Sequence, residues 1–217
     1  IIGSDITLSY WVNCNSTYAS SQSYFPISIA RSDISDANNQ LGGLADRGGG
    51  SQLFVRMQSY DENSANYSNY FCRGMQLAGA GWHNIVLTWN NTTKHLYCYI
   101  DGAVQTWSNY GNTVTTSFLN YSTYPTTVLS MAKGASSPNF FGGLVDEVAT
   151  FDSVLSSEDI TNIYGVGAPS GLASLSPITW YRNGDGDTYP TLTDNGSGNF
   201  DATMVNMDAE DIVEITP

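Results

Sequence analysis

Charge is what this chain has least of. Only 12% of its 217 residues are Asp, Glu, Lys or Arg, against about 25% in an average soluble domain, so Asn, Ser, Thr, Gly and Tyr must cover its surface. Positive charge is scarcer still: 7 basic residues face 20 acidic ones, a formal balance of −13. Too few cations remain to neutralise phosphates and the field repels polyanions, which excludes DNA and RNA as partners. A polar but weakly ionic coat suits an extracellular or particle surface better than a cytosolic enzyme. The carboxylate excess either keeps the protein in solution or, where carboxylates cluster, attracts divalent cations.

Cysteine is sparse as well. Cys14, Cys72 and Cys98 are far apart and include no C-x-x-C pair, which excludes a disulfide framework and a zinc or redox dithiol while leaving one bridge open. Cys98 lies in the apolar run Leu96–Ile100 and reads as a small buried hydrophobe. No stretch approaches the roughly 20 consecutive apolar residues of a membrane span and no basic, hydrophobic leader is present, so membrane insertion is not expected. The sequence opens at Ile1 rather than Met. It is therefore processed or part of a longer product, and export stays open.

What the chain does have is period-two alternation. Ile6, Leu8, Tyr10 and Val12 alternate with Thr7, Ser9, Trp11 and Asn13, the pattern of a half-buried strand. Short runs rich in β-branched and aromatic residues follow at Phe25–Arg31, Gln52–Met57, Tyr70–Arg73, His83–Trp89, Leu96–Ile100, Thr126–Met131 and Leu144–Phe151. Gly48-Gly49-Gly50, Asn90-Asn91-Thr92 and Asp101-Gly102 separate them, with residue types that turn at low cost. Strands at this spacing predict an all-β sandwich or barrel. One helix is expected, over Ser157–Tyr164. Ser156 caps it, Glu158 and Asp159 sit in its first turn, Gly165 ends it, and Ile160, Ile163 and Tyr164 form one docking face. Ala168-Pro169-Ser170-Gly171 then reads as a linker. Residues 1–167 form the expected sandwich and 168–217 a Gly/Asp-rich extension. The extension is too poor in apolar residues to fold alone, so it must lie on the sandwich or on a neighbouring subunit.

Three stretches together resemble the concanavalin A-like, laminin-G-like family. They are Asp5–Val12; Gly81-Trp82-His83-Asn84-Ile85-Val86-Leu87-Thr88-Trp89, continuing through Leu96–Ile100 to Asp101-Gly102; and Gly142–Phe151 ahead of Leu155–Ile160. The resemblance implies an antiparallel two-sheet jelly-roll sandwich, with the middle stretch as its central hairpin and the last as a late strand followed by a short helix. Domains of this type usually open with a strand upstream of the Asp5 stretch. Here that strand is absent, or supplied by the tail or another subunit. Trp82 and Trp89 flank a strand and read as core or edge packing. The tail, from Ser176-Pro177-Ile178-Thr179-Trp180 through Asp201-Ala202-Thr203-Met204, resembles a segment that accompanies this jelly roll in structural proteins of marine tailed phages.

The same fold family includes glycoside hydrolases, which need two carboxylates facing each other at about 5 Å or about 6.5–9.5 Å. Asp146-Glu147 is the best candidate pair, but neighbours on a regular strand point to opposite faces, and no nucleophile elbow is present. Catalysis is not expected. Asn183-Gly184-Asp185-Gly186-Asp187 with Asp194 sets oxygen ligands in the spacing of an EF-type calcium loop. Thr188, however, stands where that loop needs Gly, so Ca²⁺ on Asn183, Asp185, Asp187 and Asp194 competes with a plain Asp-Gly turn. Tyr60, Tyr67, Tyr70, Tyr110, Tyr121 and Tyr124 concentrate in two expected loops, where their flat faces suit sugars and proteins equally. Two functions follow. One is a non-catalytic structural or decoration protein on a phage particle, self-associating or held to other virion proteins, with capacity for surface glycans. The other is a secreted carbohydrate-binding or adhesion module. Fold alone does not choose between them.

Overall fold

The computed structural model describes residues 5–14, 23–31, 40–46, 53–60, 67–72, 77, 79, 81–90, 92–93, 95–110, 127–131, 141–165, 167–169 and 172–213. Its strands in chain order are β1 (Ile6–Cys14), β2 (Ser23–Tyr24), β3 (Ile27–Arg31), β4 (Gln40–Asp46), β5 (Leu53–Tyr60), β6 (Tyr67–Cys72), β7 (Trp82–Asn90), β8 (His95–Ile100), β9 (Ala103–Val104), β10 (Trp107–Tyr110), β11 (Thr127–Met131) and β12 (Gly143–Phe151). Helix α1 (Ser157–Tyr164) and a 3₁₀ turn (Leu172–Leu175) follow, then β13 (Thr179–Tyr181), β14 (Thr191–Leu192), β15 (Ala202–Thr203) and a second 3₁₀ turn (Ala209–Asp211).

The strands pair antiparallel into two main sheets, one ordered β13-β12-β1-β7-β8-β9 and the other β10-β6-β5-β4-β3-β11, with β2 on β4. This is the expected jelly-roll sandwich. Its core joins Ile6, Leu8, Tyr10 and Val12 of β1 to Ile85, Leu87 and Trp89 of β7 and to Ile27 and Ile29 of the facing sheet. Each such aliphatic side chain contributes about 1.5–3 kcal/mol on full burial. Cys14 and Cys98 are buried free thiols, and burial pushes Cys14 up to about 12, so it packs as a hydrophobe.

β1 departs from the half-buried expectation. Thr7, Ser9 and Trp11, on the face away from the core, are at most 2% exposed. The reason is a third layer. α1 and the first 3₁₀ turn lie over the outer face, where Ala149, Phe151, Ile163 and Leu172 form a second cluster and Tyr164 stacks on Trp11 at 5.9 Å. Thr7 is satisfied there: its Oγ1 donates to Ser153 O at 2.7 Å and accepts from Leu155 N–H at 3.1 Å. The helix has the expected caps, with a reciprocal Ser156–Asp159 capping box and Gly165 in the left-handed region.

The edge position beside β12 is filled by the extension. β13 pairs with β12 through Val148↔Tyr181, Ala149↔Trp180 and Thr150↔Thr179, and the Thr150 and Thr179 hydroxyls meet at 2.7 Å. Residues 179–181 thereby cover backbone groups that an open edge would expose.

Candidate functional site

One irregularity in β12 organises the chemistry. Ser9 pairs with Ala149 but Trp11 with Asp146, so β12 carries one residue more than β1 over that interval. This is a β-bulge. Glu147 is the residue that accommodates it, at φ 48°. The expectation that Asp146 and Glu147 point to opposite faces is corrected, because the bulge suspends the alternation. Glu147 is buried and accepts from Trp180 Nε1–H at 2.5 Å and from Arg182 Nε–H at 3.3 Å. Asp146 accepts from Glu147 N–H at 2.7 Å. Burial, abetted by the charges of Glu147 and Asp185, pushes Asp146 up to about 7, despite that backbone bond and the nearby Arg182.

Asp146 lines a cleft of about 140 Å³ where the start of β12 meets the extension and β11. Its walls are largely apolar, with Trp82, Met131, Leu144 and Met204 among them, and its polar side chains are Asp146, Asn183 and Asp211. A largely apolar pocket with a few convergent polar groups and a perturbed carboxyl is the usual form of a small-ligand site. Asn183 is held by the bond from its Nδ2 to Val145 O at 3.1 Å. Val145 O can only accept, which fixes the amide orientation and leaves Asn183 Oδ1, itself buried, without a partner. Trp82, expected to pack in the core or at an edge, is half-buried in this wall, whereas Trp89 is in the core.

The four calcium-pattern residues go to separate tasks. Asp194 is 6% exposed, and its carboxylate collects three backbone donors: Trp180 N–H and Gly196 N–H on Oδ1, at 2.7 and 2.8 Å, and Phe200 N–H on Oδ2, at 2.8 Å. Asp187 accepts from Gly184 N–H at 3.0 Å and Thr193 N–H at 2.8 Å, Asp185 pairs with Arg182, and Asn183 turns to Val145. Among the described residues no group of three or more His, Cys, Asp or Glu is arranged to hold a metal. Asp187 and Asp194 thus accept backbone N–H groups that a segment poor in regular structure leaves over.

The structure places the tyrosines by register alone. Tyr60 pairs with Tyr67 across β5 and β6, Tyr70 lies opposite Met57 and Asn109, and Tyr110 lies opposite Asn69. Four of the six therefore fall on strands β5, β6 and β10 rather than in loops, while Tyr121 and Tyr124 lie outside the described residues. The central hairpin carries a further polar pair: Asp101, at φ 52°, accepts from Asn84 N–H at 2.9 Å and meets His83 Nδ1 at 2.8 Å. This ties the Asp101-Gly102 turn to β7.

Sequence reasoning missed the cleft because its walls come from distant segments. The one local signal was the concentration of Asp, Asn and Gly after residue 182, which reads equally well as turns.

Fold and cleft together define a class, the two-sheet jelly roll with a cleft at its rim. The profile of the concanavalin A-like lectin/glucanases superfamily, of laminin-G type, matches residues 2–161, and the chain belongs to that family. Among solved structures it is similar to a putative carbohydrate-binding protein from Bacteroides ovatus, with TM-score 0.59 and 15% identity over 92% of this chain and 51% of that one. The chain thus spans about half that protein's length. It is also similar to the CBM40 of Ruminococcus gnavus IT-sialidase bound to α2,3-sialyllactose, with TM-score 0.52 and 12% identity over 74% of this chain and 83% of that one. A third is the enzymatically active domain of bacteriophage CBA120 tailspike protein 2, with TM-score 0.51 and 13% identity over 74% of this chain and 24% of that one. At these identities the likeness is one of fold. No curated protein sequence matches. Among the described residues no helix is long and apolar enough to cross a membrane.

Proposed function

We propose that the chain is a non-catalytic glycan-binding module working outside the cell or on a particle surface. The observation that carries this reading is the composition of the cleft, where Trp82 stands beside Asp146 and Asn183. An aromatic face for the C–H side of a sugar ring and short polar side chains for its hydroxyls are what a glycan needs. Family membership and the carbohydrate-binding neighbours support the same reading. The low charge of the surface supports the location. Absence of turnover is supported by the state of Glu147, whose two oxygens are engaged by Trp180 and Arg182, so the adjacent Asp146–Glu147 pair does not offer two free carboxylates. A glycan array is expected to give a defined set of ligands, and Trp82→Ala to abolish their binding while the protein stays folded. An array with no ligand would sink the reading. Turnover of a β-glucan panel, lost in Glu147→Gln, would overturn its non-catalytic half.

A second reading, a decoration protein of a phage particle that self-associates or docks on other virion proteins, is favoured by the tail from Ser176 to Met204 with its resemblance to marine tailed-phage structural proteins. The tailspike domain among the fold neighbours is consistent with it. The two readings are compatible if the module displays its cleft on a particle. Symmetric self-association of the purified chain, measured by light scattering and negative-stain imaging, distinguishes the decoration role from that of a monomeric adhesin.

A further inference from the structure

We infer that the cleft takes the methyl-bearing edge of a 6-deoxyhexose and prefers such a sugar to its fully hydroxylated counterpart; this deepens the glycan-binding reading and rests on it. Size and lining both point there. At about 140 Å³ the space is close to that of an apolar cavity of about 150 Å³ that takes up one benzene ring, so a single sugar ring enters and a longer chain does not. Met131 from β11, Leu144 from β12, Leu192 from β14, Met204 just after β15 and Ile212 just after the second 3₁₀ turn converge on it. Met204 is buried, but the other four are half-buried and keep apolar area that a ligand methyl would cover. The two thioethers adapt to its shape.

Side-chain hydrogen-bonding groups are few on these walls. Asn183 gives one amide hydrogen to Val145 O and its Oδ1 is buried, which leaves a ligand at most one donor from that side chain. Asp211 lies at the exposed rim, with Oδ2 occupied by Asp208 N–H. Asp146 is pushed up to about 7, chiefly by burial. Near neutrality it is therefore a mixture of acid and carboxylate, and a sugar hydroxyl, being both donor and acceptor, suits either form. A primary hydroxyl pressed against methionine and leucine side chains loses its water without gaining a partner. A methyl at the same position needs no partner and buries apolar area. An N-acetyl group also carries a methyl, but it brings an amide N–H and a carbonyl for which these walls have little to offer. The Trp82 ring, in the same wall, takes the C–H face of the sugar.

Calorimetric titration of the whole chain with sugars that differ by a single oxygen, L-fucose against L-galactose and L-rhamnose against L-mannose, tests this, with N-acetylglucosamine as a third arm. In at least one pair the deoxy sugar is expected to bind about tenfold more tightly, the scale on which an apolar pocket separates a methyl from a hydroxyl-bearing group. Its binding should also show the more negative heat-capacity change, and the preference should hold as salt is added, because no charge is being screened. Met207→Gln, at the cleft's rim and 41% exposed, should lower the preference several-fold without altering the melting temperature. Leu192→Asn, further in, should lower it more by giving the hydroxyl a partner. Equal or tighter binding of the hydroxylated sugar in both pairs, or tighter binding of N-acetylglucosamine, would overturn the inference while leaving the glycan-binding reading intact. A preference that salt abolishes, or that survives both variants, would overturn it as well. If no glycan on the array binds, both fall together.

Discussion

Along β1, Ile6, Leu8, Tyr10, Trp11 and Val12 are each at most 2% exposed, whereas between residues 183 and 201 only Gly184 and Asp194 are buried. The first region is held by apolar area, packed on one side against the facing sheet and on the other against α1. The second is held by carboxylates that capture backbone N–H groups, with Asp194 at the centre and Asp187, Asp201 and Asp208 repeating the device. The contrast explains how a segment too polar to make a core of its own keeps a defined shape.

That contrast can be broken at its strongest point first. Trp11→Ala should cost about 3–5 kcal/mol and lower the stability of the whole sandwich, seen as one cooperative shift in chemical denaturation. A loss confined to the extension would contradict the assignment of β1 as the shared core. Asp194→Ala should cost about 3 kcal/mol, since charged hydrogen bonds are worth about 1.5–3 kcal/mol each and do not add fully. Here the damage should be local. Hydrogen exchange is expected to accelerate at Trp180, Gly196 and Phe200 while amides of β1 and β7 keep their protection, and uniform acceleration would mean that the two regions are one unit.

The third test is a matter of pH. Asp146 is raised from 3.8 to about 7, so between those values the folded protein retains a proton that the unfolded chain has released. Its contribution therefore becomes more unfavourable as pH rises from about 4 to about 7 and is constant above. Asp146→Asn should accordingly gain about 2 kcal/mol at pH 8 and nothing at pH 4, measured by denaturant midpoints across that range. A gain independent of pH would assign the effect to packing. The smallest effect is expected at the helix that covers the outer face: Ser156→Ala removes the cap on Asp159 N–H and should cost about 1 kcal/mol, read as a small drop in melting temperature.

Legibility in the sequence followed locality. The strands β1, β7, β8 and β12 and helix α1 could be read because their signals, alternation and caps, lie within a dozen residues. β4 could not: Gly42-Gly43 and Ala45 give it little intrinsic strand preference, and it exists because β5 and β3 flank it. The Asp146–Glu147 relationship was misread because alternation assumes a regular strand, and the bulge is visible only against the register of β1. The tyrosines were read as loop residues because strand ends and loops share a composition.

Alternation, turn chemistry and the shortage of cations were therefore enough to determine an acidic, all-β sandwich with one capped helix, each following from side-chain shape, backbone preference or charge. Only the tertiary structure decided that β1 is buried on both faces, that residues 179–181 close an edge, that Asp194 gathers three backbone N–H groups, and that Trp82, Asp146 and Asn183 share a cleft. Each of these depends on which distant segments come into contact, and a linear pattern carries no record of its partner.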